Sequence, residues 1–295
     1  MPLRPVLRLV LLPGMDGTGD LFAPLLKALP PSLQVEVVRY PGNEALGYEE
    51  LQKLVLARLT SAPFVLLGES FSGPLAASIA ATRPAGLCGL ILSCTFAKTP
   101  RPALVFLSSV ADNPLFRRIP PHALTRVVSP FLLGGFAPPA RRLMLEQALR
   151  QLSPQTMIRR MQAVLQVDVR DKLKQIQVPV MYLQAKQDRV VPGSAAESLK
   201  QNLPSMEIVR LDGPHCLLQA APAPAARAIQ VFCDKLASSA LRVPSSLPLP
   251  LGEGWGEGRQ PANIRGATSD AAGPHPPSTS SGQAKLPPAG EGAIP

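Results

Sequence analysis

Gly68-Glu69-Ser70-Phe71-Ser72 is the stretch on which the fold of this chain is decided. It stands between an apolar run, Phe64 to Leu67, and a series of small residues, Gly73 to Ala81. A serine hydroxyl is a poor nucleophile unless a sharp strand-to-helix turn pushes it out of a sheet toward a base. That turn brings strand and helix so close that the flanking positions must be small, and Gly68 and Ser72 fill them here. The usual spacing is G-x-S-x-G, so Ser72 replaces the last glycine, with Gly73 directly after it. Ser72 adds only a hydroxymethyl group at the close approach, yet it also offers a second hydroxyl that competes for the role of attacker. Five residues of this kind also suit an ordinary turn, so the surrounding sequence has to decide.

Upstream, Leu7-Arg8-Leu9-Val10-Leu11-Leu12 reads as a strand ending in the glycine-rich Pro13-Gly14-Met15-Asp16-Gly17-Thr18-Gly19. A loop of this kind can present a backbone N–H that, with the N–H of the residue after the nucleophile, holds the oxyanion formed as a carbonyl is attacked. The donors would be Met15 and Phe71. The plainer alternative is a strand-to-helix turn capped by Thr18 or Asp20.

A base must come from His122, His215 or His275, the three histidines of the chain. His275 lies in a Pro/Ser/Gly-rich tail and His122 follows Pro120-Pro121 in a segment that reads as a helical insertion, which leaves His215. It occupies the turn sequence Asp212-Gly213-Pro214-His215-Cys216 just past the strand-like Met206 to Leu211, on a loop at the same sheet edge as Ser70. The orienting acid belongs at a strand end between serine and histidine. Asp188, in the loop after Val178 to Leu183, meets that requirement and would fix the tautomer of His215. Asp212 is the rival, although Asp-Gly-Pro is strong turn chemistry.

Apolar runs near 6–12, 33–39, 64–68, 88–94, 178–184 and 206–211 alternate with helical stretches, the α/β pattern of a mostly parallel sheet flanked by helices. Helices are expected over Leu21 to Leu29, Glu49 to Leu59, Pro74 to Thr82, Ser194 to Asn202 and Ala223 to Leu236. The division that follows is a core in two parts, 1–97 and 176–241, a helical cap insertion over 98–175, and a low-complexity tail over 242–295.

These residues resemble the α/β-hydrolase superfamily, whose order of strand, glycine loop, elbow serine, acid and histidine runs here from about Leu7 to Leu236. The Pro13 to Gly19 loop is also similar to that of plastid esterase/acyltransferase proteins and of bacterial hydrolases of undefined substrate. The resemblance implies an α/β-hydrolase fold with Ser70, Asp188 and His215 as catalytic triad and Met15 and Phe71 as oxyanion donors. It also implies a version of the fold without the antiparallel hairpin that opens larger relatives. Many members carry His-Gly at the positions of Pro13-Gly14. Ser70 argues against dehalogenase or epoxide-hydrolase chemistry, which needs an aspartate nucleophile.

The expected cap is basic. From Lys98 to Leu165 ten Lys and Arg residues face only Asp112 and Glu146, a net +8, interleaved with Leu, Val, Phe and Met. Either the arginines line a solvated face, or the cap meets something anionic: a phospholipid surface, an acyl-CoA or an acyl carrier protein. Nucleic acid is disfavoured despite the net charge of +10, because aromatics make up only 4% of the chain and no nucleic-acid module is visible. Cys88, Cys94, Cys216 and Cys233 show neither a disulfide framework nor metal-ligand spacing, so no metal and no cofactor is expected. Cys216, beside His215, reads either as a reactive thiol or as a small buried hydrophobe. No signal peptide or membrane span is legible, and the cytoplasm is the expected location. The tail, with Trp255, is expected to be disordered and is either a read-through extension or a tether. The reaction expected is cleavage of a carboxylic ester or thioester of an apolar acyl group. Acyl transfer by the same groups, or small-molecule binding without turnover, stays open, as does oligomeric state.

Overall fold

The computed structural model describes residues 7–100 and 118–240. The tail over 242–295, Trp255, and Arg101, Asp112 and Arg117 of the cap fall outside those residues. Along the chain the elements are β1 (Arg8–Leu12), α1 (Ala23–Ala28), β2 (Gln34–Val37), α2 (Tyr48–Leu56), β3 (Phe64–Glu69), α3 (Ser72–Ala81) and β4 (Leu87–Ser93). After β4 come α4 (Thr125–Leu132), α5 (Pro139–Arg150), α6 (Pro154–Gln166) and α7 (Arg170–Leu173). The chain closes with β5 (Val180–Ala185), α8 (Ser194–Asn202), β6 (Glu207–Leu211), α9 (Leu217–Ala220) and α10 (Pro222–Ala240).

The six strands form one sheet in the order β2-β1-β3-β4-β5-β6, every neighbouring pair parallel. A strand covered on both faces needs apolar side chains at odd and even positions alike. In β1, Leu9 and Leu11 pack with α1 and α10 through Leu25, Ile229 and Phe232, while Val10 and Leu12 pack on the opposite face with Leu51, Val55 and Leu75 of α2 and α3. β3 repeats the division, Val65 and Leu67 on one side and Leu66 on the other. Truncating one such leucine to alanine in a close-packed interior typically costs about 2–5 kcal/mol. The outer strands β2 and β6 carry Gln34, Glu36, Glu207 and Arg210 and are only partly buried.

The helix expected over Leu21 to Leu29 is divided into a 3-10 turn, Asp20–Phe22, and α1, which has Pro24 in its first turn and ends before Pro30. Leu29 takes an extended backbone with ψ of 147°, as steric contact with a following proline demands. The segment between β4 and β5 is helical throughout its described residues apart from connecting turns. Its two ends meet in an antiparallel bridge between Lys98 and Asp168, where Val169 N–H donates to Ala97 (2.8 Å) and Thr99 N–H to Val167 (3.1 Å). No helix among the described residues is long and apolar enough to cross a membrane.

Candidate active site

In a parallel sheet all strands point the same way, so the loops that leave β1, β3, β5 and β6 share one rim. Ser70 occupies the turn between β3 and α3 with φ of 48°. Left-handed backbone at a residue with a side chain costs roughly 1–3 kcal/mol and survives only where the surroundings enforce it. Here Ser70 N–H donates to Ser93 at 2.9 Å and Gly73 N–H to Ser70 at 3.0 Å, and the Thr95 hydroxyl also donates to the Ser70 carbonyl. A Cβ on Gly68 would lie 2.5 Å from the Ser72 carbonyl oxygen, and one on Gly73 only 1.9 Å from Thr95 Oγ1. The tight positions are therefore Gly68 and Gly73, whereas Ser72 has room for its side chain. The Ser72 hydroxyl is fully buried, donates to the Pro13 carbonyl and lies 2.7 Å from the Tyr40 hydroxyl, which then donates to it. It ties the elbow to the glycine loop.

His215 reaches the same point from the loop after β6, with Nε2 2.8 Å from Ser70 Oγ. Its Nδ1 lies 2.9 Å from Asp188 Oδ2 and 3.1 Å from Oδ1, on the loop after β5. A carboxylate only accepts, so Nδ1 carries the proton and Nε2 is left to accept from the serine. Asp188 Oδ1 also accepts the N–H groups of Val190 (2.8 Å) and Val191 (2.9 Å), which fixes the plane of the carboxylate. The two loops are joined directly, Gln187 N–H donating to the Gly213 carbonyl (3.0 Å) and Gly213 N–H to Gln187 Oε1 (2.6 Å). Asp212 is elsewhere: its side chain is 71% exposed and pairs with Lys186 at 3.1 Å.

The loop from Pro13 to Thr18 has an acceptor role for every one of its carbonyls. Pro13 accepts from Ser72, Gly14 from Gly17 N–H (3.1 Å), Gly17 from Tyr40 N–H (2.8 Å) and Thr18 from Arg39. Met15 and Asp16 both accept from Nη1 of Arg160, at 2.8 and 2.9 Å. Among the described residues neither Met15 N–H nor Phe71 N–H has a hydrogen-bond partner. The Asp16 carboxylate is buried and accepts the N–H (2.9 Å) and hydroxyl (2.6 Å) of Thr18; burial pushes its carboxyl above the usual range.

Three groups at this rim escaped the sequence reading. Glu69, just before the serine, is buried and accepts from Gln219 Nε2 at 3.0 Å; burial pushes its carboxyl up to about 7, against the hydrogen bond from Gln219 and the nearby imidazole. Tyr40 carries no local motif. Arg160 was counted among the cap's outward cations, and its side chain is instead fully buried against the core. A signal for it exists, since Thr156, Arg160 and Ala163 share the buried stripe of α6, but the sequence does not say whether Arg159 or Arg160 turns inward. Other expected cap cations are also occupied. Arg150 pairs with Glu146 at 2.6 Å, Arg141 donates to the Phe136 carbonyl at 2.8 Å, and Arg118, Arg126 and Arg142 remain exposed. Cys216 is buried with Leu133, Leu145 and Leu149, and burial holds its thiol well above the usual range, as suits an inert hydrophobe.

The sequence matches the alpha/beta hydrolase family over residues 9–228, and the chain belongs to that family. Among curated relatives, the pimeloyl-[acyl-carrier protein] methyl ester esterase of Vibrio campbellii is 31% identical over 223 residues, covering 68% of this chain and 83% of the relative. The chloroplastic phytyl ester synthase 1 of Arabidopsis thaliana is 32% identical over 138 residues, 43% of this chain but 19% of that protein. A thermophilic esterase from Thermogutta terrifontis shares the fold with a TM-score of 0.67 at 20% identity, over 78% of this chain and 90% of its own.

Proposed function

We propose that this protein is a serine-dependent carboxylic ester hydrolase acting on an apolar acyl group held as an ester or thioester. The observation that carries the reading is the continuous line from Ser70 Oγ through His215 (2.8 Å) to Asp188 (2.9 Å). Ser70 attacks the acyl carbonyl as His215 Nε2 takes its proton. The imidazolium forms against the Asp188 carboxylate, and the N–H groups of Met15 and Phe71 hold the oxyanion. Collapse expels the alcohol or thiol, protonated by His215, and leaves an acyl-enzyme that a water molecule, deprotonated by His215, then cleaves. The segment 98–175, helical over most of its described residues, acts as a cap over the serine. The similarity to esterases of carrier-bound pimeloyl esters supports a small acyl substrate that can arrive on an anionic carrier, with Arg118, Arg126 and Arg142 as the exposed cations to meet it, or to meet a lipid surface. Four free thiols favour a reducing compartment, the cytoplasm in this reading.

A fluorophosphonate probe tests the site. Wild type and Ser72→Ala should label, because the Ser72 hydroxyl is enclosed by Pro13 and Tyr40, whereas Ser70→Ala should not, and its turnover should drop by about 10⁶-fold. Folded wild type that takes no label would instead mark a binding protein. The partial likeness to phytyl ester synthase keeps acyl transfer as a second reading, and adding a long-chain alcohol to the assay separates the two: free acid throughout means hydrolysis, and a new ester means transfer.

A further inference from the structure

Arg160, from the insertion between β4 and β5, hydrogen-bonds two carbonyls of the Pro13–Thr18 loop. The Ser72 and Arg39 side chains and the Tyr40 backbone N–H, which also bond to the loop, belong to the first half of the core. Arg160 is fully buried and faces no carboxylate directly. Its Nη1 bridges the carbonyls of Met15 and Asp16, its Nη2 donates to Pro41 at 3.0 Å, and its guanidinium lies 5.6 Å from the centre of the Tyr40 ring. Gly17, at φ of 71°, admits it: a Cβ there would stand 2.4 Å from Nη1. The start of α6 is anchored to the same place, with Ser153 capping the helix at Thr156 N–H (3.1 Å) and donating its own N–H to Gly42 (2.8 Å).

A peptide plane is rigid: the Asp16 carbonyl shares one with Gly17 N–H, which donates to the Gly14 carbonyl at 3.1 Å, and the Gly14 carbonyl shares one with Met15 N–H, so the hold on Asp16 reaches the Met15 amide through that turn. We infer that Arg160 is a positioning residue for the oxyanion site: by clamping the Met15 and Asp16 carbonyls it locks the Gly14–Gly17 turn and through it the direction of the Met15 N–H, so that helix α6 controls turnover without touching substrate. This rests on the hydrolase reading above. An amide turned away from the developing oxyanion is equivalent to a lost donor, which in acyl-transfer enzymes reduces turnover by roughly 10²-fold or more. Lysine keeps the charge but is a point donor on a flexible stem and cannot reproduce a planar fork that spans three carbonyls.

The test uses the full chain with Arg160→Lys and Arg160→Met, assayed on a p-nitrophenyl ester and titrated with an alkyl boronic acid, whose tetrahedral adduct on Ser70 puts an oxygen in the oxyanion position. The expected result is kcat lower by about 10-fold for Lys and about 10²-fold for Met, KM within twofold of wild type, and boronate affinity weakened by the same factors as kcat/KM. Circular dichroism and thermal melting report folding, and the lysine variant decides should the methionine variant not fold. A folded Arg160→Lys with wild-type kcat, a kcat loss without a matching loss of boronate affinity, or a lysine variant that does not fold each overturns the inference. Wild type that neither turns over ester nor takes fluorophosphonate refutes the hydrolase reading itself, a result distinct from any of these.

Discussion

Ser70 is flanked by two arms built in different ways. In the proposed mechanism the proton-handling arm, His215 and Asp188, is made of side chains on the loops that leave β5 and β6, and the bonds that steady it run within and between those two loops. The proposed oxyanion arm is made of backbone on the loop that leaves β1, and the groups that steady it come from the elbow, from the Tyr40 segment and, across 145 positions, from α6. Side-chain chemistry at strand ends is set by the residues there. The direction of a backbone amide is set by whatever holds its neighbours, which can lie anywhere in the chain.

The sharpest way to break this contrast is Asp188→Asn. Oδ1 accepts two backbone N–H groups, so an asparagine must keep its oxygen there and present its NH₂ to Nδ1 of His215. The ring is then forced to carry its proton on Nε2, where it cannot accept from Ser70. A wrong tautomer of this kind lowers kcat by about 10⁴-fold, with folding intact; a loss below 10-fold in stopped-flow or steady-state assays would mean the arm is not held by Asp188.

Glu69 stands between the arms and gives the next largest effect, on stability. Burial is the main cause that raises its carboxyl to about 7 from the ordinary 4.5. With a raised carboxyl the folded state binds more protons than the unfolded state between those two values. The contribution of Glu69 to stability is therefore fully present below about pH 4.5, falls as pH rises through that window and is lost above about 7. At about 1.4 kcal/mol per unit, the ionised Glu69 costs of order 3 kcal/mol above pH 7. Glu69→Gln should remove that slope in urea unfolding between pH 5 and 8 and be the more stable protein at pH 8. Parallel curves for the two proteins would show that Glu69 does not carry the dependence.

The smallest effect is expected at Asp212. Its pair with Lys186 is exposed, and such pairs contribute between nothing and about 1 kcal/mol. Asp212→Asn should leave kcat/KM within twofold of wild type, and a larger loss would bring the rival acid back into the proton-handling arm.

The same contrast explains which features are legible in the sequence. Strand runs, the elbow and the turn around His215 are local signals, each confined to a handful of adjacent residues, and all six strands lie within a few positions of where periodicity puts them. Asp188 was preferable to Asp212 because a strand end and a turn have different chemistry. The close approach at Gly73 was misassigned to Ser72, since sequence spacing gives no view of Thr95, which creates the crowding. Arg160 was counted as a surface cation because charge alone usually means solvent. Nothing near it in sequence reveals that Met15, Asp16 and Pro41 present their carbonyls to it.

The bridge between Lys98 and Asp168 brings the two ends of the insertion side by side. The insertion thus leaves and rejoins the sheet at neighbouring points, so a change in its length need not move the strands it connects. Any replacement would lose the guanidinium that now holds the Met15 and Asp16 carbonyls unless it carried one of its own.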